Sequence, residues 1–258
     1  MYLSLNNVIY LQKNIIKFEL LFKLIRIYLK EMSFLASFDI GKKNFSFYIE
    51  EFDTTALQQI KTIPKKDRYH PNGTCTDDFA TILKKVYCNG KKVLLRNLDI
   101  TEGTNKDKYF DCDLCHNLTE VLDTYKDYWE KVEYIVVEQQ MSFGAKVNTM
   151  ALKIAQHCES YFMIRYGRTK KIIEFPSYHK TQVMGSEKLE KVTKTGKKTY
   201  KNVDKPARKK WAIETAYGIL TEREDFDTID EITSSKKKDD LSDVIVQAQA
   251  FKYLHFAD

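Results

Sequence analysis

The chain has 258 residues, of which 43% are hydrophobic, while only 4 are proline and 9 are glycine. This composition excludes a disordered or linker-rich protein and allows one large domain with a substantial core. Lys and Arg number 42 against 36 acidic residues, and the net charge of +6 suits a polyanionic partner if the basic residues cluster.

Residues 1–31 are apolar and basic, with helical periodicity. The run is interrupted by Lys13, Lys17, Glu19, Lys23 and Arg26, so no stretch reaches the ~20 apolar residues of a transmembrane span, and no membrane partner is expected. Three interpretations remain: a packed N-terminal helix, a targeting segment, or an extension upstream of a start at Met32. Glu19 and the scarcity of Arg and Ser weaken the case for a mitochondrial presequence.

The cysteine count is five, which is odd for a disulfide framework and favours a reducing, intracellular location. The "CDLCH" segment contains Cys112 and Cys115, and its spacing matches half of a zinc site. Cys75 and Cys88 could complete such a site, although their separation is atypical. Ordinary reduced thiols are the alternative.

Strand patterns begin at residue 33. "SFLASFDIG" (33–41) alternates apolar residues with others and places Asp39 opposite the apolar side. "KNFSFYIEEF" (43–52) follows closely and predicts an antiparallel neighbour. Residues 53–91 are predicted to be an irregular insertion with a loop at "HPNGT", and strand character resumes over 91–100.

A helical pattern at 116–131 leads into "VEYIVVEQQ" (132–140). The β-branched run within it is typical of a strand that is buried on both faces of a partly parallel sheet. Glu138 lies at the carboxyl end of this strand. A helix at about 145–166 and a short strand at 170–175 follow.

The last third of the chain is predicted to be mainly helical. Residues 186–204 form a Lys-rich insertion whose "TGKK" can turn a hairpin. Helices follow at 205–220 and at about 239–254, separated by the acidic loop "TEREDFDTIDE". The element order β-β-β-α-β-α-β-α-α predicts one α/β domain with a mixed sheet over 32–258, with insertions at about 53–91 and 186–204.

Four acidic residues are placed for chemistry by this arrangement. Ligands of open α/β sheets gather at the carboxyl ends of strands, where Asp39 and Glu138 are predicted to lie. On the last helix, 100° spacing puts Asp240 and Asp243 on the edge that meets the sheet. Asp239 points away, which predicts that it caps the helix or faces solvent.

An oxygen-only cluster of four acids suits hard cations such as Mg²⁺ or Mn²⁺. Without a cation the carboxylates would repel each other. Two ions ~3.5–4 Å apart can hold a phosphodiester for in-line displacement. The alternative is that the helix acids serve only the helix dipole and solubility.

Three segments resemble the acidic motifs of RuvC-like Holliday junction resolvases: "FDIGKKN" (38–44), "IVVEQQ" (135–140) and "KKDDLSD" (237–243). The likeness is strongest to the poxvirus and fungal mitochondrial branch of this group, within the ribonuclease H superfamily, and covers about 33–256. It implies a ribonuclease H-like fold, with a mixed five-stranded sheet flanked by helices. It also implies a homodimer that makes paired, symmetric nicks in four-way DNA junctions, leaving 5′-phosphate and 3′-hydroxyl ends.

Transferred motif by motif, the resemblance implies that Asp39, Glu138, Asp240 and Asp243 are catalytic and hold two Mg²⁺ ions, with Mn²⁺ as a substitute. The family's lysine after the fifth strand falls on Lys180 in "PSYHK", where it could neutralise phosphate charge. Gly41 would leave room for backbone or phosphate.

Basic residues around these motifs are expected to contact DNA phosphates rather than bases. Phe143 and Tyr178 are candidates for stacking on bases near the junction. The predicted DNA-binding residues are Lys42, Lys43, Lys146, Lys153, Lys197, Lys198, Arg208, Lys209, Lys210, Lys237 and Lys238.

Several other functions compete with this interpretation. A different ribonuclease H-like nuclease would cut RNA–DNA hybrids or flaps, and a non-catalytic protein would only bind junctions. Actin-like kinases also begin with a D-x-G strand, but their second phosphate-binding loop is missing from the sequence. A viral replication compartment in a host cell and a mitochondrion both fit the resemblance.

Overall fold

The computed structural model describes residues 32–104, 111–142 and 147–258. The N-terminal extension 1–31 lies outside these described residues. Within them, no helix combines the length and the apolar character needed to cross a membrane.

Five strands form one mixed sheet in the order β3-β2-β1-β4-β5. β2 runs antiparallel to both of its neighbours, whereas β4 is parallel to both β1 and β5. This is the ribonuclease H-like topology, so the predicted fold is confirmed. The strands are β1 (Met32–Asp39), β2 (Phe45–Asp53), β3 (Lys91–Leu98), β4 (Tyr134–Glu138) and β5 (Lys171–Phe175).

Helices cover both faces of the sheet. α3, α4 and α5 pack on one face, and α2, α7, α8 and α9 pack on the other. The helices are α1 (Thr54–Gln58), α2 (Asp77–Cys88), α3 (Cys112–Thr124), α4 (Lys126–Trp129), α5 (Thr149–Tyr166), α6 (Tyr178–Val183), α7 (Lys205–Glu222), α8 (Phe226–Ser234) and α9 (Lys238–Lys252).

Side chains of β1 alternate between the two cores, with Leu35 on the α9 side and Phe38 on the α5 side. Phe38 packs against Trp129 at a ring separation of 5.7 Å, and Trp129 packs edge-on against Phe47 and Phe162 at 5.3 and 5.5 Å. This aromatic cluster fixes the end of β1, the strand that carries Asp39.

Helix α9 is buried around nearly its whole circumference rather than along one apolar face. The reason is that it lies between β1 and β2 on one side and α7 on the other. Polar side chains at Gln247, Gln249 and Lys252 are consequently buried. The helix that carries two of the predicted site acids is therefore a rigid central element.

Two predicted loops are helical. The insertion 53–91 contains α1 and α2, because Phe79, Ile82 and Val86 recur at helical spacing and pack into the core. The predicted acidic loop (221–231) overlaps the first two-thirds of α8, whose Ile232 is fully buried. In the Lys-rich insertion, β6 (Lys188–Val192) and β7 (Lys198–Asn202) form an antiparallel hairpin.

Candidate active site

A cleft of about 440 Å³ opens at the carboxyl ends of β1 and β4, between α6, α7 and the start of α9. The structure brings together here all five residues predicted to be catalytic. These are Asp39, Glu138, Lys180, Asp240 and Asp243.

The parallel pairing of β1 and β4 sets the first two acids side by side. Phe38 pairs with Val137, so Asp39 and Glu138 follow at the same edge of the sheet. Their carboxyl groups are hydrogen-bonded to each other. At Gly41, a Cβ atom would lie 2.9 Å from the Asn44 carbonyl oxygen, so the glycine makes room for the backbone of the β1–β2 turn.

Lys180 joins the strand acids to the helix acids. It lies on the short helix α6, directly after β5, and is 6% exposed. Its Nζ is 3.0 Å from Glu138 Oε1 and 3.1 Å from Asp243 Oδ1. Lys180 is thus a buried cation that bridges β4 and α9.

The cluster contains more negative than positive charge, and the pKa values reflect this. Burial and the charge of Glu138 raise the pKa of Asp39 well above its ordinary value. Burial alone would raise the pKa of Glu138. The charge of Lys180 and the hydrogen bond from Asp39 outweigh burial, so the pKa of Glu138 is lowered. Burial raises the pKa of Asp243, although Lys180 opposes the effect.

Asp240 and Asp239 differ in their surroundings. Burial and the neighbouring Asp239 raise the pKa of Asp240 to about 6. Asp239 forms an ion pair with Lys209 and its side chain is 15% exposed, while Lys237 is the N-cap residue of α9. The alternative that Asp239 faces solvent was wrong, because α7 brings Lys209 against it, but its carboxylate does accept a hydrogen bond from its own backbone N–H in the first turn of α9.

Gln247 is a positioning residue that the sequence reasoning missed. Its Nε2 donates to Ser37 Oγ at 3.0 Å and to the Phe38 carbonyl at 3.1 Å. These bonds fix α9 against the end of β1. A signal was available, because Asp240, Asp243 and Gln247 recur at i, i+3 and i+7 on one face of the helix.

The donor set fits a hard divalent cation. All four acids offer carboxylate oxygens, and the Asp39–Glu138 contact is unfavourable when both groups are ionised unless a cation lies between them. Across the described ranges, however, no three His, Cys, Asp or Glu side chains already stand in metal-binding geometry. Binding would require the carboxylates to converge further.

No protein-family model matches the chain. It is 37% identical over 234 residues to uncharacterized protein 170L of invertebrate iridescent virus 6, spanning 86% of this chain and 89% of the relative. The chain belongs to the family of this viral protein. Uncharacterized protein 97L of invertebrate iridescent virus 3 is 27% identical over 227 residues, spanning 84% and 98%.

Among solved structures, the fold is similar to RuvC-like resolvases. Fowlpox virus resolvase in complex with Holliday junction DNA has a TM-score of 0.49 at 16% identity, covering 86% of this chain and 97% of that one. Thermus thermophilus RuvC has a TM-score of 0.44 at 9% identity, covering 86% and 97%. The yeast mitochondrial resolvase Ydc2 has a TM-score of 0.42 at 13% identity, covering 87% and 85%.

The predicted DNA-binding residues fall into several groups. Arg208 and Lys209 line the cleft, and so does Tyr178, which is 54% exposed. Phe143 and Lys146 lie outside the described residues. The others are distributed over the β1–β2 turn (Lys42, Lys43), α5 (Lys153), the hairpin (Lys197, Lys198), α7 (Lys210) and the start of α9 (Lys237, Lys238).

The zinc interpretation is wrong for the described part of the chain. Cys88 ends α2 on one face of the sheet, whereas Cys112 and Cys115 belong to α3 on the opposite face. The sheet separates the thiols, so they cannot share one ion.

Proposed function

We propose that the protein is a structure-selective DNA endonuclease that resolves four-way junctions by hydrolysing phosphodiester bonds. The observation that carries this proposal is the cleft itself. Four carboxylates line it together with the buried Lys180, which contacts Glu138 and Asp243, and the cationic side chains of Arg208 and Lys209 line the same cleft. The three acidic motifs that resemble those of junction resolvases support the same reaction.

In this proposal Asp39, Glu138, Asp240 and Asp243 would hold two Mg²⁺ ions, with Mn²⁺ as a substitute. Bound there, such ions would supply activation of water and stabilisation of the charge that develops on the scissile phosphate. The protein supplies the rigid frame, since Asp39 and Glu138 end neighbouring parallel strands and Gln247 fixes α9 against them. The products would be 5′-phosphate and 3′-hydroxyl ends.

Lys180 acts within this frame by keeping a positive charge beside the acids. Burial opposes that charge, but Glu138 and Asp243 outweigh it and raise the pKa of the ammonium above its ordinary value. The lysine therefore stays protonated at neutral pH and can stabilise charge on a phosphate oxygen. Arg208 and Lys209 would orient the DNA backbone entering the cleft.

Paired cutting requires two active sites related by a two-fold axis, so we propose a homodimer. Helix α5 offers a candidate surface for self-association, because Ile164 is 84% exposed and Met163 is 47% exposed. Each protomer would then nick one of two opposing strands. The viral relatives favour a role on viral DNA in an infected cell over a mitochondrial one.

The test is cleavage of a synthetic four-way junction, a linear duplex, an RNA–DNA hybrid and a flap under identical Mg²⁺ conditions. The proposal expects the junction to be cut fastest, and Asp240→Asn to abolish cleavage while leaving junction binding intact. Asp230→Asn, at an exposed aspartate on α8, is the matched control and should cleave normally. Preference for the hybrid or the flap would instead identify another ribonuclease H-like nuclease. Cleavage that survives Asp240→Asn would contradict the site assignment.

A further inference from the structure

The hairpin β6–β7 presents a strongly basic surface beside the cleft. Residues 188–202 contain six lysines and one acid, Glu190, which pairs with Lys198 at 3.0 Å. Lys188 and Asn202 face each other across the base of the hairpin, and both line the cleft. The hairpin therefore extends the cleft wall outward as a basic arm.

The base of this hairpin is held by a loop from the other insertion, residues 69–75, which we call the bracing loop. The Lys188 N–H donates to the Asn72 carbonyl oxygen at 2.7 Å. Asn72 Oδ1 in turn accepts from the Thr74 N–H at 3.2 Å and from its hydroxyl at 2.8 Å. The first residue of β6 is thus hydrogen-bonded to a loop that is itself held by internal hydrogen bonds.

Two glycines permit the close approach of the bracing loop. Gly73 has φ of +88°, and a Cβ atom there would lie 3.1 Å from the Ser186 carbonyl oxygen. Gly185 has φ of +73°, and a Cβ atom there would collide with Cys75 Sγ. Contacts therefore fix the connection between α6 and β6 from both ends.

The bracing loop also holds the end of α6, the helix that carries Lys180. The Tyr69 hydroxyl donates to the Val183 carbonyl oxygen at 3.2 Å. A two-stranded hairpin with no third strand is marginally stable in water, so its direction depends on such contacts at its base. Two segments that read as separate insertions in the sequence are one supporting unit in the fold.

We propose that hairpin β6–β7, oriented by the bracing loop, grips the phosphate backbone of a duplex arm leaving the cleft and gives the protein its preference for branched over linear DNA. This inference rests on the proposed function. Its partner is inferred from charge, since the surface is basic. Val192 and Tyr200 are also exposed there, among the lysines. A phosphate contact outside the cleft can form only when a second duplex arm lies at the right angle to the one in the cleft. A linear duplex has no second arm and would not make this contact.

The first test reverses charge near the turn of the hairpin, with Lys194→Glu and Lys197→Glu combined. Lys126→Glu with Lys131→Glu is the matched control. Both lysines are exposed and lie just before the amino end of β4, whereas the cleft lies at its carboxyl end. Binding is measured with Asp240→Asn added, so that no DNA is cut.

The hairpin pair should weaken junction binding roughly tenfold and linear-duplex binding much less. It should also reduce the slope of log K against log salt by about 2, since each lost phosphate contact removes about 0.9. The control pair should change neither quantity. Equal weakening for junction and duplex, or equal effects of the two pairs, would overturn the inference.

The second test displaces the bracing loop with Gly73→Val. Gly103→Val is its matched control, because Gly103 has φ of +70° but, among the residues that the structure describes, no heavy atom within 4 Å of a Cβ placed there. Gly73→Val should make trypsin cut the hairpin lysines several-fold faster and lower the junction preference, whereas Gly103→Val should do neither. Unchanged proteolysis and preference in Gly73→Val would contradict the bracing role.

These outcomes separate the two proposals. If the unmodified protein neither binds nor cuts junctions, the proposed function fails and the arm fails with it. If it cuts junctions and the hairpin variant keeps the full preference, the proposed function stands and the arm alone is wrong.

Discussion

Two buried clusters of charge in this molecule have opposite balances. Glu50, on β2, is a single carboxylate that receives both Arg223 nitrogens at 3.0 and 3.1 Å and is also paired with Lys252. Tyr48 and Gln249 complete its hydrogen bonds at 2.7 and 2.8 Å. In the cleft, by contrast, four carboxylates share the buried cation Lys180, which contacts two of them, Glu138 and Asp243.

The pKa values show what the difference means. Burial would raise the pKa of Glu50, but Arg223 and Lys252 outweigh it and lower that pKa to about 2. In the cleft, burial raises the pKa values of Asp39 and Asp243, and that of Asp240 reaches about 6. The charge of Glu50 is compensated within the protein by Arg223 and Lys252, as in a structural ion cluster. The second cluster has fewer cationic than acidic side chains, as the proposed function expects of a site that would bind cations.

The largest expected effect is on catalysis. Asp39→Asn should lower the cleavage rate by about 10³-fold, because a bound cation supplies several kcal/mol of charge stabilisation and about 1.4 kcal/mol is tenfold. Single-turnover cleavage of a four-way junction measures it, with binding followed by gel shift. Glu50→Gln, assayed as folded protein, should cleave at a rate close to normal. A large loss from Glu50→Gln with none from Asp39→Asn would reverse the assignment of the two clusters.

Stability should show the opposite ranking. Glu50→Gln leaves Arg223 and Lys252 buried without their carboxylate and should lower the free energy of unfolding by about 3–5 kcal/mol. Asp243→Asn removes charge from a cluster with too many acids, so stability should stay within about 1 kcal/mol or increase. Urea denaturation measures both. Strong destabilisation by Asp243→Asn would indicate that the cleft cluster is structural.

Divalent cations should stabilise the protein through the cleft cluster alone. Saturating Mg²⁺ should raise the thermal midpoint by several degrees, since a ligand at 100 times its Kd adds about 2.7 kcal/mol. Asp243→Asn should remove most of this shift, and a variant at the exposed Asp230 should keep it. Equal shifts in all three proteins would place the cation elsewhere.

The smallest effect concerns pH and has opposite signs in the two clusters. Asp240 has a folded-state pKa of about 6, above its ordinary 3.8, so its contribution to stability is present below about pH 4 and is lost as pH rises to 6. Glu50 has a lowered pKa, so its contribution is lost as pH falls from 4.5 towards 2. The free energy of unfolding, measured against pH in chelator-treated buffer, should lose its change between about pH 4 and 6 in Asp240→Asn. Its change below about pH 4.5 should remain. Carboxyl NMR provides a direct check, because Asp240 should titrate near pH 6 and lower when Mg²⁺ is added.

Much of the fold could be predicted from the sequence, because hydrophobic alternation and helical spacing are local signals. The strands that end at Asp39 and Glu138 and the helix that carries Asp240 and Asp243 were found in this way. Partners distant in the sequence could not be found. The pairing of Lys209 with Asp239 depends on how α7 packs against α9.

The contact between the bracing loop and the hairpin could not be predicted for the same reason, because its partners are distant in the sequence. Asn72 and Lys188 are 116 positions apart, and their hydrogen bond exists only once both insertions have folded onto α6. The helical character of 53–91 was missed because "HPNGT" dominated the local pattern, while the apolar residues of α2 pack only against the completed core.

The most direct test of the central claim is to map the nicks on a four-way junction with and without Mg²⁺. The account predicts two symmetric nicks on opposing strands, with 5′-phosphate and 3′-hydroxyl ends that DNA ligase reseals, and no nicks after chelation or in Asp39→Asn. Cleavage that persists without divalent cations, or that persists in Asp39→Asn, would contradict it.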